Sequence, residues 1–438
     1  MTNAMRRVLI VSPHFPPVNA PDHQRVRMSL PYFRENGWEP VVLAVDAAQV
    51  EGLRDPLLAE SVPPDVVVHR VGALPARITR LVGLGNLGYR AWFHLSVAGA
   101  RLLRAEKFDL VYFSTTQFLV TGLGARWRHK FNVPYVVDLQ DPWRTDYYER
   151  PGAPRPPGGW KYRFARWQAA RLEERAWRDA AGFVSVNPTY LADLRLRYAW
   201  FAQKPSAVVP FGASEADFEF ARARADIAPA FTREAGAVHL VSVGAVGPIM
   251  RTALGRLFAG VRALRDAHPA IAARLRFHFV GTSYAPVGRA RPSVAPIAQE
   301  YGVHDLVREQ TERVGYFTAI KTMLEADAIV IPGSDDPGYS PSKVTTCCLA
   351  ARPTLAIGPV VSAFADAVNE LAFASYAATD LPADDTVIGT FLTNLSSVPP
   401  ATPAPFREAA RFPSTHTART RTRQQCELFA LAVAAAAR

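Results

Sequence analysis

Short apolar runs recur along the chain, and most of them are followed by a loop and a stretch with apolar residues at helical spacing. Continuous apolar runs are typical of parallel strands buried on both faces, and the stretches between them are typical of helices packed on a sheet. In the first half of the chain the predicted strands are residues 7–12, 41–45, 66–71, 108–113, 134–139, 182–186 and 206–209.

The same alternation restarts after Pro210-Phe211-Gly212, where a predicted strand runs into a proline and a glycine. The predicted strands of the second half are residues 238–243, 274–280, 328–331 and 354–357. The main predicted helices are residues 22–36, 75–103 with a break at 83–85, 162–179, 251–267, 318–326 and the tail after residue 413. This order predicts two α/β domains with parallel sheets. We place the first domain at residues 1–210, joined by residues 418–438, and the second at residues 211–417.

Length and charge agree with this division and restrict the partners. A chain of 438 residues is too long for one ordinary core. Its formal charge of +11 favours phosphorylated substrates or anionic lipid, while zinc-finger spacing and RNP-type aromatic motifs are absent, so we expect no nucleic-acid partner. Three cysteines without paired spacing indicate a reducing compartment, and the apolar run near the N-terminus is too short for a signal peptide. We expect a cytoplasmic protein.

A basic segment with exposed aromatic candidates leaves two interpretations open. Residues 77–104 contain five arginines beside Tyr89, Trp92 and Phe93. Such a segment can lie in a membrane interface and bind anionic lipid at the inner face of the membrane. It can equally be a helix that packs on the domain with its arginines in water.

The most informative stretch of the second half is Gly338-Tyr339-Ser340-Pro341-Ser342-Lys343. Ser340 or Ser342 can cap a helix that starts near Pro341, where unpaired backbone N–H groups attract an anion. Lys343 in the first turn opposes the helix dipole, and a bound phosphate would account for it. The alternative is an ordinary capped helix with a solvated lysine.

Other loops at predicted strand ends carry residues suited to the same ligand. Gly244 and Gly247 follow one strand and Arg251 opens the next helix, a position where phosphates bind. Gly281 follows the next strand and Tyr316 precedes a helix. Because carboxyl ends of parallel strands share one edge, these residues predict an anion site there.

In the first half, two loops carry candidates for contact with a second substrate. His14 lies in the loop after the first strand, with Asn19 further along, and Asp138-Leu139-Gln140-Asp141-Pro142-Trp143 ends a later strand. A carboxylate such as Asp141 can orient hydroxyls or accept a proton. The alternative is that Asp138 and Asp141 are turn and cap residues. Residues 145–160, rich in proline and glycine, are a candidate lid.

Taken together, these motifs resemble the GT-B glycosyltransferases of the broad family 4 group, which transfer sugars from nucleotide donors with retention. Members often read close to S-K-x-x-E-Y-x-x-x-G-x-P where this chain has Ser342-Lys343 through Pro353, with Thr346 at the position of the ribose-binding glutamate. Gln140-Asp141 replaces a His-Asp pair, and Val18-Asn19-Ala20 replaces a glycine-rich loop.

The resemblance implies two Rossmann-like domains facing across a cleft, with a C-terminal helix that crosses back to the first. It places the donor diphosphate against Gly244, Gly247, Arg251 and Lys343. Further donor contacts are expected from Gly281, Tyr316, Tyr339, Ser340, Ser342 and Thr346. It implies catalytic roles for His14 and Asp141, and acceptor-side roles for Asn19, Asp138 and Trp143. No metal and no cofactor other than the nucleotide-sugar substrate are expected.

The predicted function is therefore transfer of a sugar from a nucleotide-diphosphate donor to a glycan or lipid-linked acceptor in surface polysaccharide synthesis. Two alternatives remain open at this point. Thr346 and Gln140 would also suit a catalytically silent binding protein of the same architecture. A sugar-nucleotide epimerase is the second alternative, and it would alter the donor sugar without an acceptor.

Overall fold

A computed structural model describes residues 5–81, 83–144, 159–283, 285, 288–336, 343–381, 385–397 and 412–437. Contacts divide the chain into two compact units, Met1–Phe211 with Ala418–Arg438 and Gly212–Thr417. The boundary predicted after residue 210 lies one residue earlier. Most of the predicted lid, residues 145–158, lies outside the described residues.

The first unit is built on a parallel seven-stranded sheet with the order β3-β2-β1-β4-β5-β6-β7. Its strands are β1 (Arg6–Val11), β2 (Trp38–Val45), β3 (Val67–Val71), β4 (Leu110–Ser114), β5 (Tyr135–Leu139), β6 (Gly182–Ser185) and β7 (Ser206–Val208). Its helices are α1 (Gln24–Ser29), α2 (Pro56–Glu60), α3 (Ala76–Leu81), α4 (Leu87–Ala105), α5 (Gly122–Phe131), α6 (Trp160–Trp177) and α7 (Pro188–Arg197). The central strands are buried on both faces, which explains their unbroken apolar sequences.

The strand order of the first unit reverses between β1 and β4, which pair in parallel. The connections from these two strands leave toward opposite sides, so a crevice opens beyond their carboxyl ends, and open α/β sheets bind ligands there. The loop after β1 carries His14, and the loop after β4 carries Thr115 and Thr116.

One helix prediction in this unit was only partly right. The stretch 22–36 was predicted as one helix, but α1 covers only Gln24–Ser29 and is flanked by short 3-10 turns. Pro31 explains the early end, because it has no backbone N–H to donate into a continuing helix. Gly37 ends the segment in the left-handed region, with φ of 79°.

The second unit repeats the plan with a parallel six-stranded sheet in the order β10-β9-β8-β11-β12-β13. Its strands are β8 (Val238–Val243), β9 (Leu275–Val280), β10 (Val307–Gln310), β11 (Ala328–Pro332), β12 (Thr354–Gly358) and β13 (Ser375–Ala378). Its helices are α8 (Glu215–Ala223), α9 (Arg251–Ala267), α10 (Pro269–Ala272), α11 (Ala295–Glu300), α12 (Tyr316–Glu325), α13 (Lys343–Leu349), α14 (Ala363–Leu371) and α15 (Asp385–Ser397). The order reverses between β8 and β11, so the loop containing Gly244 lies at the switch point.

Strands β10 and β13 were not predicted from the sequence. Both are edge strands of the described sheet, and their sequences, VREQ and SYAA, lack a continuous apolar run. An edge strand pairs on one side only and is partly open to solvent, so polar residues are tolerated there.

The last helix, α16 (Ala418–Ala436), packs on the first unit rather than on the second. Phe429 on this helix is fully buried and its ring contacts the rings of Phe33, Trp38 and Tyr112. The predicted fold class, with two Rossmann-like domains and a C-terminal helix returning to the first, is confirmed. No helix in the described part of the chain combines the length and apolar character needed to span a bilayer.

Candidate functional site

In the first unit, His14 forms a hydrogen-bonded pair with Asp22 at the carboxyl end of β1. The Nδ1 atom of His14 lies 2.9 Å from both carboxylate oxygens of Asp22. Asp22 is only 3% exposed, and Thr115 and Thr116 from the loop after β4 donate to its Oδ2 at 3.1 and 3.3 Å. Two loops that the fold brings together at the switch point therefore build this pair.

The electrostatics of the pair determine which nitrogen of His14 is available. Burial pushes the pKa of Asp22 up, but the His14 ring and the backbone N–H of Thr116 outweigh burial and hold that pKa below its ordinary value. Asp22 therefore stays anionic and accepts the Nδ1 proton of His14. That hydrogen bond sets the tautomer that leaves Nε2 as an acceptor, the arrangement in which a histidine can take a proton from a hydroxyl.

Asp141 lies near this pair and carries a perturbed carboxyl group. Burial and the negative charge of Asp22 raise the pKa of Asp141 to about 6. Asp141 is nevertheless exposed to solvent in the loop after β5. A carboxyl group that titrates near neutral pH can either accept or donate a hydrogen bond to a bound hydroxyl.

Asp138, by contrast, is not presented at the edge of the sheet. Its side chain is fully buried and forms an ion pair with Arg25 at 2.9 Å, and Ser114 and Gln140 donate to it at 2.8 and 2.9 Å. Arg25 in turn donates to the carbonyl of Val209 at 2.7 Å. The expected direct contact between Asp138 and an acceptor is wrong for this arrangement, because buried charges are held by their partners.

Trp143 and Asn19 are also held in place by contacts within the first unit. The Trp143 ring stacks on Phe118 at 5.7 Å and packs against Trp177 at 5.4 Å. Asn19 is buried, and its backbone N–H donates to the carbonyl of Leu53 at 2.8 Å. Both residues fix the loops around the His14 pair, and their acceptor-side roles remain predictions.

In the second unit, the structure brings Gly244 and Lys343 together. Gly244 has φ of 98°, and a Cβ atom built on it would lie 2.9 Å from Cε of Lys343. Glycine is required here both by the left-handed backbone and by the close approach of the lysine. The Nζ atom of Lys343 donates to the carbonyl of Ala245 at 3.0 Å.

Lys343 lacks a carboxylate partner within the described ranges. Burial lowers its pKa to about 8, which means that its charge is poorly solvated in this structure. An ammonium group held by one carbonyl, next to a glycine loop at the switch point, is suited to an anionic ligand.

Gly247 and Gly281 lie in adjoining loops. Nothing lies within 4 Å of a Cβ atom built on Gly247, so open space faces that position. Gly281 has φ of 73° and donates its backbone N–H to the carbonyl of Gln310 at 2.8 Å. The next residue, Thr282, accepts a hydrogen bond from the backbone N–H of Val246 at 3.0 Å, so the loops after β8 and β9 are joined.

Arg251 and Tyr316 are held by other partners. Arg251 forms an exposed ion pair with Glu300 at 2.5 Å, and Tyr316 donates its hydroxyl to Asp217 at 2.8 Å. The expectation that Arg251 and Lys343 contact one ligand remains a prediction, and it requires Arg251 to leave its exposed pair with Glu300. Thr346 lies on α13 with a half-buried side chain, and the predicted contacts Tyr339, Ser340 and Ser342 lie outside the described residues.

Comparisons with known proteins agree with this geometry. Residues 23–212 match the family model of the glycosyl transferase 4-like domain. The α,α-trehalose 6-phosphate synthase of Burkholderia multivorans aligns over 99% of this chain and 98% of its own, with 11% identity and a TM-score of 0.58. A glycosyltransferase of Rickettsia africae aligns over 98% of both chains, with 11% identity and a TM-score of 0.54.

A third solved structure, the UDP-forming α,α-trehalose-phosphate synthase of Burkholderia vietnamiensis, aligns over 98% of both chains with 12% identity and a TM-score of 0.51. At these identities the structural likeness shows the fold alone, and the family match covers only the first unit. No curated protein sequence matches the chain.

The first unit of this chain matches the glycosyl transferase 4-like domain, and the chain as a whole has the GT-B fold.

Three residues of the candidate sites were not found from the sequence. Asp22 appeared only as the start of a helix, and Gln140 only as a departure from a family motif. Gln140 donates to the carbonyl of Asp22 and to Asp138, both at 2.9 Å, so it connects the buried ion pair to the His14 pair. No local spacing signals this contact, because Asp22 and Gln140 are far apart in sequence.

Glu309 is the third of these residues, and it organises the donor-side loops. One of its carboxylate oxygens accepts from Thr282 at 2.7 Å, and the other accepts from the backbone N–H groups of Val294 and Ala295 at 3.0 and 2.8 Å. Glu309 therefore ties the start of α11 to the loop after β9. It lies on the edge strand β10, which lacks the apolar run that would have revealed it.

Proposed function

We propose that this glycosyltransferase moves a sugar from a uridine-diphosphate donor to a lipid-linked or glycan acceptor during surface polysaccharide synthesis at the cytoplasmic face of the membrane. The observation that carries the proposal is the poorly solvated ammonium of Lys343 beside Gly244 at the switch point of the second sheet. A UDP-forming relative of the same fold supports uridine diphosphate as the leaving group.

The donor half of the proposed reaction rests on charge stabilisation. As the bond between the sugar and the diphosphate breaks, negative charge grows on the leaving oxygen, and Lys343 can stabilise that charge. The open space at Gly247 allows the diphosphate to approach the backbone of the loop. The proposed reaction uses neither a metal ion nor a cofactor.

The acceptor half rests on the His14 pair. His14, oriented by Asp22, is the proposed partner of the attacking hydroxyl, and Asp141 is the proposed second contact. We propose retention of the anomeric configuration, as the resemblance implies, with His14 orienting the hydroxyl. An NMR spectrum of the product tests this step, because an inverted product would mean that His14 acts as a base in a direct displacement.

Two parts of the proposal rest on the basic segment before and within α4. These are the surface polysaccharide as the product and the contact with an anionic membrane. Helix α3 exposes Ile78 and Leu81, and α4 exposes Phe93, in a region that also carries several arginines. Apolar side chains among cations are the composition of helices that bind anionic membrane surfaces.

The test is calorimetry with UDP on native protein and on Lys343→Ala. We expect the variant to lose at least roughly tenfold in affinity, because a charge-assisted contact to phosphate is lost. Lys321→Ala in the same unit is the matched control, since Lys321 already pairs with Glu325 at 3.7 Å and should leave UDP affinity unchanged.

A correctly folded Lys343→Ala protein that binds UDP as tightly as the native chain would contradict the proposed donor site. Transfer that stops when EDTA is added would overturn the proposed metal-free reaction. The two measurements are independent, because UDP binding needs no acceptor.

A further inference from the structure

A groove of about 400 Å³ opens on the first unit between the end of the edge strand β3 and helix α4. His69 and Arg70 line it from β3, and His94 and Arg101 line it from α4. Acidic side chains are missing from its described lining. The groove is therefore lined by basic groups on both walls.

The two walls are fixed to each other by hydrogen bonds. Arg90 on α4 donates its Nε proton to the carbonyl of Leu74 at 2.8 Å, and Leu74 donates back to the carbonyl of Arg90 at 2.9 Å. Gly72 lies against the His94 ring, which a Cβ atom at Gly72 would meet at 3.6 Å. A groove that is already formed binds a ligand with little cost in ordering its walls.

The polar groups of the groove point to an anion. The rings of His69 and His94 line the groove beside the guanidinium groups of Arg70 and Arg101. Arg70 donates one N–H to the carbonyl of Pro16 at 2.8 Å, and neither Arg70 nor Arg101 pairs with an acid in the described structure. Arginines elsewhere in this unit do pair with acids, as Arg7 does with Glu106. Unneutralised guanidinium groups beside histidine rings match the oxygens of a phosphate.

The rim of the groove is apolar, which favours a ligand that also has an apolar part. Phe93 and Val97, one turn apart on α4, line it and are 64% and 45% exposed. An inorganic phosphate would leave these side chains in water, whereas a lipid chain attached to the phosphate would cover them.

We propose that the groove binds the phosphate of a lipid-linked acceptor, with the lipid chain over Phe93 and Val97. The hydrogen bond from Arg70 to the carbonyl of Pro16 connects the groove wall to the loop that carries His14. The inference rests on the proposed function, because it identifies the acceptor of that reaction as a lipid phosphate.

The first experiment is sedimentation with phosphatidylcholine vesicles that carry phosphatidic acid, without donor. Native protein should bind these vesicles and not pure phosphatidylcholine. His94→Ala/Arg101→Ala should bind roughly tenfold more weakly, whereas Arg104→Ala, on the same helix but outside the groove, should change binding less than about twofold. Equal losses in the two variants would overturn the groove as the site.

A second pair of measurements separates a lipid phosphate from free phosphate. Phe93→Ser/Val97→Ser should weaken vesicle binding and leave the binding of inorganic phosphate, measured by calorimetry, unchanged. Full retention of vesicle binding in this variant would overturn the lipid assignment. If the double variant at His94 and Arg101 fails to fold, Arg101→Glu alone, at an exposed position, replaces it and should abolish vesicle binding.

UDP calorimetry on the same variants keeps this inference distinct from the proposed function. Groove variants that lose vesicle binding should bind UDP as the native chain does, because the donor site lies in the other unit. Loss of UDP binding in them would contradict the separation of the two sites.

Discussion

Replacing Gly244 by alanine tests how closely Lys343 packs on the donor loop. The new methyl group would stand 2.9 Å from Cε of Lys343, closer than carbon atoms approach in proteins, so the lysine must move. Its hydrogen bond to the carbonyl of Ala245 would then be strained or lost. The backbone itself would also be strained, because φ is 98° at this position.

The magnitude follows from these two contributions. The left-handed conformation costs an alanine about 1–2 kcal/mol. Displacing Lys343 from its carbonyl costs about 1 kcal/mol more, the ordinary net value of a hydrogen bond. The free energy of unfolding of the second unit should therefore fall by about 2–3 kcal/mol.

Two other glycines of the same unit are matched controls. Gly236 also has a positive φ, 75°, but nothing lies within 4 Å of its added Cβ, so Gly236→Ala should cost the backbone contribution alone, about 1–2 kcal/mol. Gly247 has an ordinary φ of −100° and open space around it, so Gly247→Ala should change stability by less than about 0.5 kcal/mol. The same Gly247 variant should nevertheless weaken UDP binding, because its methyl group occupies the space assigned to the diphosphate.

The assay uses an uneven distribution of tryptophan. All eight tryptophans precede residue 201, so their fluorescence reports the first unit, while far-ultraviolet circular dichroism reports both. In urea titrations the Gly244 variant should shift the dichroism transition and leave the tryptophan transition in place. Equal destabilisation by the Gly244 and Gly236 variants would refute the packing of Lys343 on the loop, and unchanged UDP affinity in the Gly247 variant would refute the diphosphate position.

Two further predictions concern titratable groups. Asp22→Asn keeps the shape of the buried side chain but removes the charge that orients His14. The transfer rate should therefore fall about 10- to 100-fold, while the UDP affinity stays unchanged. A transfer rate equal to that of the native protein would show that the pair has no part in transfer. In the same variant the pKa of Asp141, about 6 in the native chain because of burial and the charge of Asp22, should fall, as carbon NMR titration would measure. His278 has a pKa of about 4, chiefly because it is buried, against an ordinary 6.5, so its contribution to stability is complete above pH 6.5 and is lost as the pH falls toward 4. Acid should therefore destabilise the native second unit by about 3 kcal/mol more than His278→Gln, and parallel stability curves for the two proteins would contradict this.

The sequence alone determined the fold class of this protein, because buried parallel strands have continuous apolar sequences. Strands such as β1 and β5 are covered on both faces, so nearly every position is apolar and the run stands out from its neighbours. The positions of loops after those strands followed directly, and these loops contain His14, Asp141 and Gly244. The edge strands β10 and β13 were not predicted, because an edge strand does not need to be apolar at every position.

Only the tertiary structure decided which side chains face each other. Asp22 pairs with His14, Asp138 pairs with Arg25, and Arg251 pairs with Glu300. Hydrophobic periodicity depends on neighbours a few positions away, whereas these pairs join loops and helices that meet only after the sheets have formed. A carboxylate that is buried beside an arginine and one that is free at a sheet edge have the same local sequence signal, so the partner decides the role.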